Sequence, residues 1–343
     1  MDTNELRTFK TRKKNTFKNQ PNSFIKDKPK NVDYEKPPQN PKPAFNQPVN
    51  KIIHNEYKDY IDNRICEYYK KIPLSIYNSS SSTYSVKHVS EEEASCWIEL
   101  SSAVVGKFAV NFPLVIGSSS YNYGRTIFLE EFPNSKVSEL NPHDYCVAVP
   151  ILFQLAVALY CMYKKNIYAD CLEFLIVTIP RTTIVYSINQ MIFSTNTDSL
   201  LILSKSSRLF RAELPQSCYL NYIKTFYALR NWKHFTTDYF FEWLLRNHFD
   251  YFSKQQNDLF KHKKKNSPRT QINKSTDPGT LVYVSRDDSF VVGVTLTNVS
   301  INENIRIMFS SDGLIFEVDD FNINDVYFAN ELFVRSQLSA ITV

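Results

Sequence analysis

Apolar positions along the chain change period several times, and each change marks an expected element. They fall at Ile53, Tyr57, Tyr60, Ile61, Ile65, Tyr68 and Tyr69, one face of a helix that must stop before Pro73. After a serine run at 79–82, three stretches dense in β-branched and aromatic residues read as strands: WIELSS (97–102), KFAVNFPLVIG (107–117) and GRTIFLEEF (124–132). YCVAVPILFQLAVALYCMY (145–163) carries no charge before Lys164 and Lys165. Such a run suits either a bilayer span or a central helix that is apolar all round. Pro150 and Gln154 inside it, Asp144 at its edge and its short length favour the buried helix.

Residues 169–204 combine a buried strand, a turn at Pro180, a short helix and a second strand, LLIL. Strand and helix in alternation argue for a mixed layer. After Pro215 two helices are expected. The first bears Leu220, Ile223, Phe226 and Tyr227; the second, capped by Asp238, bears Phe241, Leu244, Leu245, Phe249 and Phe252. Aromatic residues at helical spacing serve a core more readily than a base-stacking platform. GTLVYVSRDDSFVVGVTL (279–296) is the cleanest strand, bend and strand of the chain, with NIRIMFSSDG and LIFEVDD adding further strands around a Ser-Asp-Gly turn. The pattern predicts an α/β (α+β) fold, a mixed sheet with packed helices behind a disordered basic tail. Its parts are a tail (1–50), a first lobe (51–259), a basic linker (260–279) and a strand-rich end (280–343).

Charge sharpens this picture. The net charge of +5 over 343 residues sits in the tail, because residues 1–43 hold eleven Lys/Arg against five Asp/Glu, while 43% apolar residues leave ample core material. Seven of the sixteen prolines lie in residues 1–50, where few aliphatics are available to offset chain entropy. The six cysteines (Cys66, Cys96, Cys146, Cys161, Cys171, Cys218) form no C-x-x-C pair and read as reduced thiols. No apolar stretch follows the first methionine, so a cytoplasmic or nuclear home is expected.

With only six glycines, and with neither a G-x-S-x-G nor a Walker-type motif, the sequence points away from most nucleotide-binding enzymes. What remains is carboxylate chemistry, in which acidic groups gather a divalent metal ion, Mg or Mn, beside a phosphodiester. The candidates are Glu130, Glu131 and Glu139 in FLEEFPNSKVSEL (128–140), and Asp287 and Asp288 at the hairpin bend. His262 among lysines reads as a solvated side chain. A second reading of 279–343 is a Tudor-like barrel, an adaptor that cages methylated peptides between Tyr283, Phe290, Phe309 and Phe316.

FPNSKVSEL (132–140), STDPGTLVYVSRDDSFVVGVTL (275–296) and ELFVRSQLSA (331–340) together resemble segments of the Schlafen family, with FSTNTDSLLILSKSSRLF (193–210) as a weaker second copy. The resemblance implies a two-lobed Schlafen-like core that cuts RNA with two glutamates and a later aspartate. The first glutamate position falls on Asn134, the second on Glu139, the following lysine on Asn141, and the aspartate on Asp287 or Asp288. Glu131 could replace the lost first carboxylate only through a strand bulge. A chain with that loss resembles a supporting subunit of a nematode Schlafen-like endoribonuclease complex, one that trims the 5′ ends of piRNA precursors in RNA-mediated silencing. Its implied partners are RNA and other Schlafen-like subunits in a cytoplasmic hetero-oligomer, at an organelle surface through those partners, with neither DNA nor direct membrane contact.

Overall fold

The computed structural model describes residues 84–343 other than 122, 142–146, 190, 228–236, 252–276, 287–288 and 329–339. The expected tail, the helix from Ile53, nearly all of the basic linker, Asp287, Asp288 and residues 331–339 lie outside the described residues.

Strand β1 (Tyr84–Val89) leads into helix α1 (Glu91–Val105). Ser90 caps this helix by accepting the Glu93 N–H at 3.1 Å, and Glu91, Glu92 and Glu93 set negative charge at its positive end. Ala94, Trp97, Leu100, Ser101 and Val104 recur at helical spacing and form the buried face. WIELSS is therefore helical and not a strand. Its mix of aromatic, β-branched and aliphatic residues suits either state, and the cap upstream decides. Past Gly106, Lys107 takes a left-handed φ of 61°, and the Phe108 N–H reaches back to the Ala103 carbonyl at 2.7 Å, closing the helix end. Only the end of KFAVNFPLVIG is strand, as the start of β2 (Val115–Tyr121). Strand β3 (Gly124–Glu130) pairs antiparallel with both neighbours, giving the order β1-β3-β2.

After the short β4 (Val137–Glu139) comes α2 (Val149–Lys164), the expected apolar helix. Every side chain from Ile151 to Met162 is buried, and Pro150 sits in the first turn, where its missing N–H has no helical partner to lose. Among the described residues no helix is long and apolar enough to cross a membrane. Next, β5 (Ile167–Ala169) precedes the longest hairpin, β6 (Phe174–Ile188) with β7 (Met191–Leu203), and β8 (Leu209–Arg211) returns to pair with β5. Pro180 marks a register shift between Thr178 and Thr182, not a turn, because proline cannot donate to the ladder and a bulge absorbs it. The expected short helix is absent from this stretch of described residues; the chain reverses instead at Asn189, whose φ is 48°.

Helices α3 (Gln216–Tyr227) and α4 (Phe240–His248) follow as expected, and both pack on α2. Asp238 is not the cap of α4: Tyr239 holds that position without a side-chain bond, and the side-chain oxygen of Gln216 accepts the Phe240 N–H at 2.8 Å. The chain then builds an antiparallel meander from β9 (Leu281–Arg286), β10 (Ser289–Thr295), β11 (Asn304–Ser310), β12 (Glu317–Asn322) and β13 (Val326–Tyr327), in the order β12-β11-β10-β9-β13. Strand β14 (Ile341–Thr342) runs parallel to the end of β6. The architecture is α+β.

One buried polar contact sets the register of the centre. Strand β7 pairs with β6 on one side only. Along its other edge, the Gln154 side-chain oxygen accepts the Leu201 N–H at 3.0 Å, and its Nε2 donates to the Ser199 carbonyl at 3.0 Å. Asn111 continues the edge: its Nδ2 donates to the Leu201 carbonyl at 2.8 Å, and its own carbonyl accepts the Leu203 N–H at 2.8 Å. Two amide side chains thus complete a strand edge that would otherwise be buried with unmet groups.

His248 is fully buried, with Phe153, Trp243 and Tyr251 rings 5.2–5.6 Å away. Burial pushes its pKa down to about 3, so it is neutral in the folded protein.

Gln154→Leu keeps the helix apolar but strands the Leu201 N–H and the Ser199 carbonyl; a loss of about 2–4 kcal/mol is expected in urea denaturation. An unchanged midpoint would show that this contact does not set the register. For His248 the folded pKa lies below the unfolded one, so its contribution is complete above pH ~6.5 and is lost as the pH falls toward 3. Relative to His248→Phe, the wild type should lose about 1.4 kcal/mol per pH unit in that window.

Candidate interaction surface

Of the carboxylates singled out in the sequence, Glu130 ends β3, Glu131 follows it and Glu139 ends β4. Glu131 is half-exposed and pairs with Lys205, its Oε1 lying 2.9 Å from the ammonium nitrogen. Glu139 is exposed at the end of β4, which pairs with β6, whereas the 281–295 hairpin belongs to a different sheet. Asn134, exposed, opens a single 3-10 turn, Asn134–Lys136, between the two glutamates. Among the described residues no group of three His, Cys, Asp or Glu side chains is placed to hold a metal ion. Asp287 and Asp288 lie outside those residues, so Glu139 is the only described residue of the expected Glu139–Asp288 pair.

Other charged groups near α1 have structural partners. Lys87 Nζ lies 2.6 Å from Glu93 Oε1 and 2.6 Å from the Ser207 carbonyl, over the Trp97 ring at 4.9 Å, tying β1 to α1 and to the loop after β7. Arg211 binds Glu99 through its guanidinium, Glu92 through its backbone N–H, and the Lys165 carbonyl at 2.9 Å. Burial pulls the Glu99 pKa up, but the hydrogen bonds from Arg211 and Lys165 outweigh it and hold the carboxyl below its usual range. Of the described cysteines, Cys96 and Cys161 are buried, Cys218 is half-buried and Cys171 exposed; burial pushes the Cys161 thiol up to about 12, which leaves it unreactive.

The most distinctive exposed feature is the turn between β11 and β12. Asp312 Oδ1 accepts the N–H groups of Leu314 at 2.8 Å and Ile315 at 3.0 Å, while Ser310 Oγ accepts the Gly313 N–H at 2.9 Å and donates to the Ile315 carbonyl at 2.7 Å. These bonds to Leu314 and Ile315 depress the Asp312 pKa, Ile315 contributing most. Gly313 has a φ of 75° and sits against Phe249, whose ring a Cβ there would meet at 2.5 Å, so both its freedom and its size are needed. The closed turn holds Leu314 and Ile315 outward, 83% and 67% exposed. LIFEVDD was expected to be strand throughout; its first three residues belong instead to this turn and its exit, and β12 starts at Glu317.

The chain segment that carries the turn is acidic. Residues 301–328 carry Glu303, Asp312, Glu317, Asp319, Asp320 and Asp325 against a single base, Arg306. Arg306 is bound to Asp320 at 3.0 Å, and Arg286 of β9 to Glu317 at 2.9 Å. Exposed Val318 extends the apolar strip into β12.

The family model described as Poxvirus L3/FP4 protein matches residues 39–341. The chain belongs to the Poxvirus L3/FP4 family. No solved structure matches it. Membership of the L3/FP4 family over nearly the whole chain overturns the Schlafen resemblance, and with it the piRNA-processing role and the associated RNA-silencing reading. The geometry agrees with that correction. The 193–210 stretch is no second hairpin, since β7 pairs with β6 while β8 pairs with β5.

The Tudor-like adaptor falls on the same family match, and the sheet explains why the aromatics misled. The meander stays open, with β12 and β13 at its edges. Strand alternation sends Tyr283 and Phe290 toward the main core and Phe309 to a separate cluster with Val282, Val284, Ile305 and Ile307, so no cage forms.

Removing the Asp312 acceptor should open the turn while leaving the sheet intact. In Asp312→Ala the Leu314 and Ile315 amides are expected to exchange with solvent about tenfold faster, with β9–β10 amides unchanged. Equal protection in variant and wild type would place the order of the turn elsewhere.

Proposed function

We propose that this L3/FP4 protein works by binding another protein, using the Leu314–Ile315 turn as an anchor and the acidic edge of β12 as its rim. The observation that carries this reading is the pair of large aliphatic side chains held in water by a hydrogen-bonded turn. A loose loop would fold them away or lose entropy on docking; a turn already closed by Asp312 and Ser310 avoids much of that cost. Two such side chains entering a pocket supply about 1.5–3 kcal/mol each, the scale of an interface hot spot. The carboxylates on either side select a partner whose pocket is rimmed by lysine or arginine, and they disfavour nucleic acid at this face.

A photo-crosslinking residue placed at Leu314 in the full chain, expressed in poxvirus-infected cells, tests the idea, with the same residue at Glu139 as the control. The expected result is one discrete protein adduct at 314 only, mapped to a basic segment of the partner. Its yield should fall with added salt and about tenfold in Ile315→Asp. Equal labelling at both positions, an acidic target peptide, or an adduct indifferent to Ile315→Asp would overturn the proposal.

A further inference from the structure

Sheet edges expose unpaired N–H and C=O groups, and proteins guard them with charge, proline, short length or cover. Among the described strands most edges are guarded. β12 carries Glu317, Asp319 and Asp320, β1 carries Lys87 and His88, and β4, β8, β13 and β14 are two or three residues long. The outer edge of β7 is covered by Gln154 and Asn111. Strand β2 differs. It is a seven-residue edge strand, VIGSSSY, and no charged residue occurs from Val115 to Gly124.

Its environment is suited to receiving another strand. Ser118, Ser119, Ser120 and Tyr121 are all exposed. Beside them a shallow groove of about 340 Å3 runs between β2 and α1, lined by Ile98, Ser101, Val105, Val115 and Gly117. Val105 remains 41% exposed on its rim, and Tyr123, in the turn to β3, is 93% exposed. The Val115 N–H is already taken by the Ser101 hydroxyl at 2.8 Å, and a bulge lies between Val115 and Gly117, so pairing is confined to the stretch from Gly117 onward.

We infer that β2 is the self-association edge of this protein, pairing antiparallel with β2 of a second copy to join two three-stranded sheets into one of six. The sequence of the edge is self-complementary in that arrangement. With the two-fold axis at Ser119, Ser118 of one copy faces Ser120 of the other, and Tyr121, the bulkiest side chain, faces Gly117, which has none. No like charges meet across the axis, which favours a second copy over a charged partner. Val105 and Ile98 from both copies close over the groove and supply apolar area that the short ladder alone lacks. This inference is independent of the Leu314 surface, which lies on another sheet.

The test uses the full chain. Sedimentation velocity at micromolar concentration should show a dimer, and Ser119→Lys, which sets two ammonium groups face to face at the axis, should be a folded monomer by the same measurement and by circular dichroism. In Ser119→Cys the two thiols come within disulfide reach, so mild oxidation should give a covalent dimer. Ser120→Cys and the wild type, with its native cysteines, should not. A monomeric wild type, a Ser119→Lys protein that stays dimeric, or equal cross-linking at positions 119 and 120 would each overturn the assignment.

Discussion

The side chain of Gln154 holds the middle of this protein in register. A helix buried on every side has no amphipathic stripe to say which way it faces, and a long hairpin with one unpaired edge has no neighbour to complete it. A single amide in the helix addresses both problems, because it accepts from the Leu201 N–H and donates to the Ser199 carbonyl. Asn111 extends the same edge, so the chain after α1, the central helix and β7 are bound at one place. Helices α3 and α4 then pack against a helix whose rotation is already set, with Tyr160 meeting Phe240 edge to face and Tyr163 tilted against the same ring.

The C-terminal meander depends on that centre and on strict alternation within its own strands. Leu281 and Tyr283 face the main core while Val282 and Val284 face a smaller cluster with Ile305, Ile307, Phe309 and Val326. With both faces covered, the sheet's remaining exposure is concentrated at its edges and turns. The Gly313 turn is braced from beneath by Phe249, which follows α4 directly, so helix packing around α2 reaches the surface as the placement of Leu314. Charge is arranged to match: acidic groups line β12, whereas β2, on the first sheet, is left neutral.

Much of the local structure was legible. The apolar run, the two helices after Pro215 and the 279–296 hairpin all appear where period and turn residues put them. α1 was missed because Trp97, Ile98 and Leu100 satisfy a strand reading as well, and the Ser90–Glu93 cap that settles the matter lies outside the apolar stretch. Pro180 was misread because its missing N–H can be absorbed by a bulge in a long strand as well as by a turn. The family was missed for a related reason: a valine-rich strand, an acidic bend and a second strand satisfy the chemistry of any hairpin, so short stretches could resemble a nuclease while the match over residues 39–341 lies elsewhere.

The carboxylates show the limit most clearly. A family resemblance, not spacing, put Glu131, Glu139 and Asp288 in one site; β4 pairs with β6 and the hairpin strands belong to another sheet, while Asp288 lies outside the described residues. The Ser-Asp-Gly turn was readable from residues 311–313, because turn chemistry is local; the exposure of Leu314 was not, because it depends on Phe249 lying beneath Gly313. Hydrogen bonds within a few residues are written in the order of the side chains. Which sheet a strand joins, and which apolar residue is left in water, follows from contacts between segments far apart in the chain, where the gain from burying one surface is weighed against every other the chain could bury.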